Sequence, residues 1–569
     1  MLKGRFALLF AMCMLLVHPV LAGEKMSLPD DLRRLIPADA VAIFAVKSVA
    51  AVDQMIAKVA AQFPDEEDPM PSLGETLSEQ MPALLDYLDT TKPLAVAVGM
   101  PNLMMGGMPD LTYILPLQRG VAVDDSLGAQ WGFPEQIQSG QYLALSSAAV
   151  QAPAEELSDL SDHLAAGTAS ATLDISRLYE EFGAFLEMGL AGIPVRATGT
   201  EPNSTGAMSI EEAEVVKELL RSSVASLSRF DLSLDLSGDE ISVYAGLAVV
   251  PGSVLDPGPQ PEFGRALALT RALPNEADFL QVTAMDYTFL MDTFRDYYLM
   301  VAGQSMVDME AEQRALYDTW VENYLNDLEI WTHPMATSLR LADSQMAFHG
   351  LMEMNDGPAA LEQLTNTFAE LSAIDMGYLV SRQPDKTVAG VNFRVWEVDL
   401  DLETIESMVT DQRPPAMSGA DRMEPAQMIS ILRKVMSRVY IGTADGLLFM
   451  ASDDDTEALA EMIEKSRKQG KPEANIARMA DEGGEHVQQI ITGDMMAVMN
   501  WFTEWLEEMD NEEREVMKGN PVPFSAVATI FAGETGVTFK TDMAALSGLM
   551  RAFVELDEAV QADDQPAGE

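Results

Sequence analysis

A chain that repeats itself is restricted to folds in which one unit is built twice, and this chain carries the same sequence landmarks twice in the same order. Leu35-Ile36-Pro37-Ala38-Asp39-Ala40 is echoed by Ala272-Leu273-Pro274-Asn275-Glu276-Ala277. An apolar, strand-like run follows each: Val41 to Val46, and Phe279 to Thr283. Helix-like stretches come next, from Ala50 to Phe63 and from Tyr287 onward. Thr91-Lys92-Pro93 then matches Thr332-His333-Pro334, and Gly140 to Ser147 matches Gly446 to Ser452. Leu173-Asp174-Ile175 with its amphipathic continuation resembles the stretch from Asp494 to Met509. Last, the hairpin pattern from Asp231 to Ala245, turning at Gly238-Asp239, resembles Ser525 to Phe539, turning at Gly533-Glu534. A chance match explains any one echo but not an ordered set of six.

The repeats meet at 251–262, where prolines and glycines interrupt both helix and strand. The expected organisation is a signal peptide over 1–22, a first repeat over 23–250, the linker 251–262, a longer second repeat over 263–556 and an acidic tail over 557–569. Fold class is α+β. Alternation in Phe230 to Leu236 and Ile241 to Ala245 puts Leu232, Leu234, Leu236, Ile241, Val243 and Ala245 on one face of a hairpin, so part of each sheet is antiparallel. Helical spacing of Phe289, Phe294, Tyr297, Tyr298, Val301 and then Leu316, Trp320, Tyr324, Leu328 predicts two helices that break near Gly303. Asp453-Asp454-Asp455 reads as a helix cap, and Pro194 to Ser209 as a surface loop.

Lys3 and Arg5, the apolar run Phe6 to Val17 and then Val20-Leu21-Ala22 form the three regions of a secretory signal, with cleavage expected after Ala22. Cys13 does not make a lipoprotein signal, because Phe10-Ala11-Met12 lacks the small residue needed just before it. Cleavage removes this single cysteine, so a periplasmic or secreted product folds without disulfides. No later stretch approaches the roughly 18 apolar residues of a membrane span. The formal charge of −54 repels nucleic acid and anionic headgroups.

The Leu-Ile-Pro-Ala-Asp-Ala opening at residues 35–40, followed by strand and helix, resembles a group of exported bacterial envelope proteins carrying a domain of unknown function. That resemblance implies an envelope protein and brings no catalytic residues.

Familiar catalytic signatures are missing from the sequence: Gly-x-Ser-x-Gly, Ser-x-x-Lys, His-Glu-x-x-His, Gly-Lys-Ser/Thr and Gly-x-Gly-x-x-Gly. Beyond the signal, His163, His333, His349 and His486 are scattered, and each alone reads as a surface or capping residue. Methionine stands out, with 38 in the chain. Met100, Met104, Met105 and Met108 lie on one Gly/Pro-containing loop, where thioethers that converge would suit Cu(I). Met346, Met352 and Met354 would share one strand face, with His349 on the other unless Gly350 makes a bulge. Against both stand methionine as a flexible core filler, as at Met462, Met495, Met499 and Met509, as an oxidant scavenger, and as an adaptable contact surface. The sequence therefore points to a non-enzymatic binding or scaffold protein, its partner an envelope protein or small ligand held in a groove between two related lobes. Two alternatives accompany it: a hydrolase using carboxylates in that cleft, and a Cu(I) or other soft-metal binder.

Overall fold

The computed structural model describes residues 25–548, apart from 62–70, 101–108, 122, 124–126, 148–158, 194–208, 275–276, 306–310, 343–344, 375–377, 401–437, 453–455, 469, 504–519 and 532. The expected signal peptide over 1–22, the expected acidic tail over 557–569, the segment 194–208 and the aspartate triple at 453–455 lie outside the described residues.

The first half contributes β1 (Ala42–Val46), β2 (Leu94–Val98), β3 (Leu111–Pro116), β4 (Glu135–Ser139), β5 (Tyr142–Ser146), β6 (Ala169–Asp174), β7 (Leu227–Ser237) and β8 (Glu240–Val249). The second contributes β9 (Phe279–Thr283), β10 (Met335–Ala342), β11 (Gln345–Glu353), β12 (Tyr378–Val388), β13 (Val391–Leu400), β14 (Arg438–Ala444), β15 (Leu447–Ser452), β16 (Val487–Asp494), β17 (Pro523–Phe531) and β18 (Glu534–Asp542). All pair antiparallel in one continuous sheet, which joins the halves edge to edge through β8 and β18. The fold is thus α+β as expected. The halves do not each close on a private sheet, however: a hydrogen-bonded seam joins them where a groove between two lobes was expected.

Reading outwards from the seam, the first half runs β8-β7-β6-β1-β2-β3-β5-β4. The second runs β18-β17-β16-β9-β10-β11-β15-β14, and then adds β13 and β12. Local details recur at matching places. Asp174 donates its N–H to the Val41 carbonyl at 2.8 Å, and Asp494 does the same to the Asp278 carbonyl at 3.0 Å. Each of these aspartates then caps a helix with its carboxylate: Asp174 accepts from Arg177 N–H and opens Ile175–Ala191, while Asp494 accepts from Met496 N–H and opens Met495–Thr503.

Every buried apolar cluster among the described residues draws on one half alone. The first half packs Ile43, Ala97, Ile114 and Ala144 under Leu32 and Ile36; the second packs Val282, Leu351, Phe393 and Phe449 under Leu459, Met462 and Ile476. The linker carries no helix or strand. It is set by Asp256, which accepts from Gly252 N–H at 2.6 Å and Gly258 N–H at 3.1 Å, and both glycines adopt positive φ. The aromatic stretch after Asp286 forms helices Thr288–Ser305 and Ala311–Asp327; the first runs through Gly303, and 306–310 between them lie outside the described residues.

Leu232, Leu234 and Leu236 do share a face, but Leu232 is 41% exposed, whereas Asp231 and Ser233 on the opposite face are each 4% exposed. That polar face is covered and internally hydrogen-bonded: the Thr172 hydroxyl donates to Asp231, and Ser233 Oγ to the Ala166 carbonyl.

Candidate functional site

A groove of about 680 Å³ opens on one face of the sheet beside the seam. Its wall is the helix Ala474–Gly483, which Glu473 caps by accepting from Ile476 N–H at 2.7 Å and which stops where Gly484 turns to φ +79°. With Ile476 buried in the core, the helix turns Asn475, Arg478, Met479 and Glu482 to the groove, spaced one face apart. The floor is Thr492 of β16, Ser525 and Val527 of β17, and Thr538, Lys540 and Asp542 of β18; Glu240 of β8 closes the far side. Charges are matched in pairs: Arg478 with Glu482 at 2.5 Å, and Lys540 with Glu240 at 3.3 Å. Asp542 is engaged as well, accepting from Ala545 N–H at 2.8 Å. Both ion pairs are solvated and so worth no more than about 1 kcal/mol each, weak enough for a ligand to open.

Farther along the seam, on the same face of the sheet, lies a second polar cluster. Strand alternation aligns Arg229, Ala248 and Glu534 in one row across β7, β8 and β18, and Asp231, Gly246 and Gly536 in the next. Because Ala248 is small, the Arg229 guanidinium reaches over it, donating from Nη2 to Glu534 at 2.7 Å and from Nε to Asp231 at 2.8 Å. Burial works against this cation, but the hydrogen bonds it donates to Glu534 and Asp231 outweigh it and hold Arg229 above its usual range. Gly246 is needed here: a Cβ would lie 2.8 Å from the Tyr244 hydroxyl and 3.0 Å from the Asp231 Cβ. Two ion pairs therefore cross the seam in opposite directions. Lys540 of the second half meets Glu240 of the first, and Arg229 of the first meets Glu534 of the second.

The chain matches no protein-family model, no curated protein and no solved structure.

Of the residues singled out in the sequence, Met104, Met105 and Met108 lie outside the described residues, and Met100 is half-buried after β2. In the other methionine group, Met352 and Met354 are buried in an apolar cluster with Met335 and Met450. β11 pairs on both sides without a bulge, so buried His349 points to the opposite face from Met352. Met462 is a core residue, as expected of a leucine substitute. Among the described residues no group of His, Cys, Asp or Glu is arranged to hold a metal ion, and no helix is long and apolar enough to cross a membrane. Sequence reasoning missed Arg478, Lys540, Arg229, Asp231 and Glu534. Only Arg229-x-Asp231 left a signal, as opposite charges on one face of a strand whose other face is leucine.

Proposed function

We propose that this chain is an exported binding protein made of two duplicated halves, with a ligand groove beside the seam that joins them. Duplication is supported by the agreement of two independent orders: the sequence echoes, and the succession of strands on either side of the β8–β18 pair. Export is supported by the composition of residues 1–22, and an envelope setting by the Leu-Ile-Pro-Ala-Asp-Ala opening at 35–40.

The ligand class follows from charge and hydrogen-bonding chemistry. The chain carries 90 acidic against 36 basic residues, a field that repels anions. Within it the groove is close to balanced, with Arg478 and Lys540 against Glu240, Glu482 and Asp542, over a floor of hydroxyls. Such a site suits a neutral ligand rich in hydrogen-bonding groups, such as a glycan segment. The carrying observation is that each groove carboxylate already has a cation or backbone N–H to hold, which fits recognition better than acid–base work. Saturation-transfer NMR against neutral oligosaccharides, with Arg478→Ala/Lys540→Ala as control, tests it. Binding that weakens at least tenfold in the double variant is the expected result. Silence across the panel, or equal binding by both proteins, refutes the reading, and turnover of a bound glycan favours the hydrolase instead.

A further inference from the structure

His163 closes the short helical turn Asp159–His163, which packs on β6 and β1. The ring is half-buried, and its Nδ1 is buried without a hydrogen-bond partner. Four charged groups face it: Lys25 near the start of the described chain, Arg229 and Asp231 on β7, and Glu534 on β18. Burial first, then Arg229 and Lys25, holds the imidazole below its ordinary range, against the opposite pull of Asp231 and Glu534. The ring therefore takes up its proton only at a lower pH than an ordinary imidazole does.

We propose that His163 is an acid-sensing trigger for the inter-half clamp, and that its protonation releases Glu534 from Arg229 and loosens that end of the β8–β18 seam. An imidazolium donates from both ring nitrogens, so the buried Nδ1 then requires an acceptor. Asp231 and Glu534 are the acceptors among the charged groups facing it, and both are committed to Arg229. Imidazolium and guanidinium thus compete for the same two carboxylates. Asp231 is the less free to move, being buried and also held by the Thr172 hydroxyl. Glu534, with a side chain 43% exposed, is the arm that yields, and it is the second half's contribution to the clamp. The far end of the seam is held by Lys540 and Glu240. Acid therefore opens the seam from one end.

Hydrogen exchange of the full chain, read by mass spectrometry as protection factors at pH 7.5 and pH 5, tests this without reference to any ligand. Peptides covering Leu247–Val249 and Glu534–Gly536 should lose protection severalfold in acid, while the Glu240–Ser242 end holds. His163→Asn and His163→Gln should abolish the acid loss, and Glu534→Gln should show low protection at both pH values. Equal wild-type protection at the two pH values overturns the proposal. So does an acid loss of the same size in the two histidine variants.

Discussion

Replacing Arg229 with methionine keeps the side-chain length but removes the guanidinium from between two unequal carboxylates. The Asp231 side chain is 5% exposed, so without Arg229 its charge keeps the Thr172 hydroxyl but no cation. Removing one partner of a buried pair costs about 3 to 5 kcal/mol, because the stranded charge cannot recover its hydration. Glu534, at 43% exposure, can rehydrate and adds no more than about 1 kcal/mol. Arg229→Met should therefore destabilise by roughly 3 to 5 kcal/mol and Glu534→Gln by less than about 1 kcal/mol. Arg229→Met/Asp231→Leu should recover most of the loss, since an apolar pair of similar volume replaces a buried ion pair at little net change. Urea unfolding reads the difference as a shift in midpoint at constant slope. If Arg229→Met is no worse than Glu534→Gln, or if the double variant is no better than Arg229→Met alone, the energy does not reside in buried Asp231 and the reasoning fails.

Three further outcomes follow from the geometry. Gly246→Ala should lower stability by about 1 to 3 kcal/mol by overpacking against Tyr244 and the Asp231 Cβ, read as a lowered melting temperature. Tyr142 is buried with its hydroxyl unpartnered, and burial, then the nearby Asp89 and Asp31, pushes its pKa up to about 12 from 10.0. The folded chain then keeps a proton that the unfolded chain sheds, so stability should decline between about pH 10 and 12; Tyr142→Phe should remove that share of the decline while leaving stability at pH 7 unharmed. Asp235 is lowered despite burial by the Ser237 and Thr168 hydroxyls, so its contribution is present above pH 3.8 and is lost as pH falls through its lower folded value. Asp235→Asn should flatten that part of an acid denaturation profile.

The repeat signals marked places where both halves use the same turn or cap: the proline-led openings at Pro93 and Pro334, and the helix-capping Asp174 and Asp494. Such signals are local, and local chemistry is what a single sequence displays. Which edges would pair was not legible, because β8 and β18 expose the same unsatisfied N–H and C=O groups as any edge strand. Nor was the burial of β7. Its leucines advertise an inward face, but three of its polar residues, Asp231, Ser233 and Asp235, find partners in Thr172, the Ala166 carbonyl and Thr168, all supplied by the segment around β6. A buried polar face is stable only when those distant partners arrive, and spacing along β7 carries no trace of them. The groove was hidden for a related reason. Arg478 and Glu482 read as an ordinary exposed helical pair, and only the packing of Ile476 beneath them turns that face towards Lys540.

On the proposed duplication, the two ends of the seam began alike and have since diverged. Glu240 and Glu534 both open the second strand of their hairpins, and the register is centred on Tyr244 opposite Thr538, so each glutamate stands at the same distance from the middle. Their cations do not correspond. Lys540 lies on β18 itself, in the row of Ser242, whereas Arg229 lies on β7 and must cross Ala248 to reach its partner. At one end an exposed lysine pair lies beside a helix; at the other a half-buried arginine bridges two carboxylates. On the proposed function one pairing serves recognition and the other clamps the halves, and the asymmetry lies in the neighbouring segments, helix Ala474–Gly483 against turn Asp159–His163. Exchanging the charges of one pair should therefore affect one property without the other: Lys540→Glu/Glu240→Lys should alter ligand recognition while the acid response of the β8–β18 seam remains.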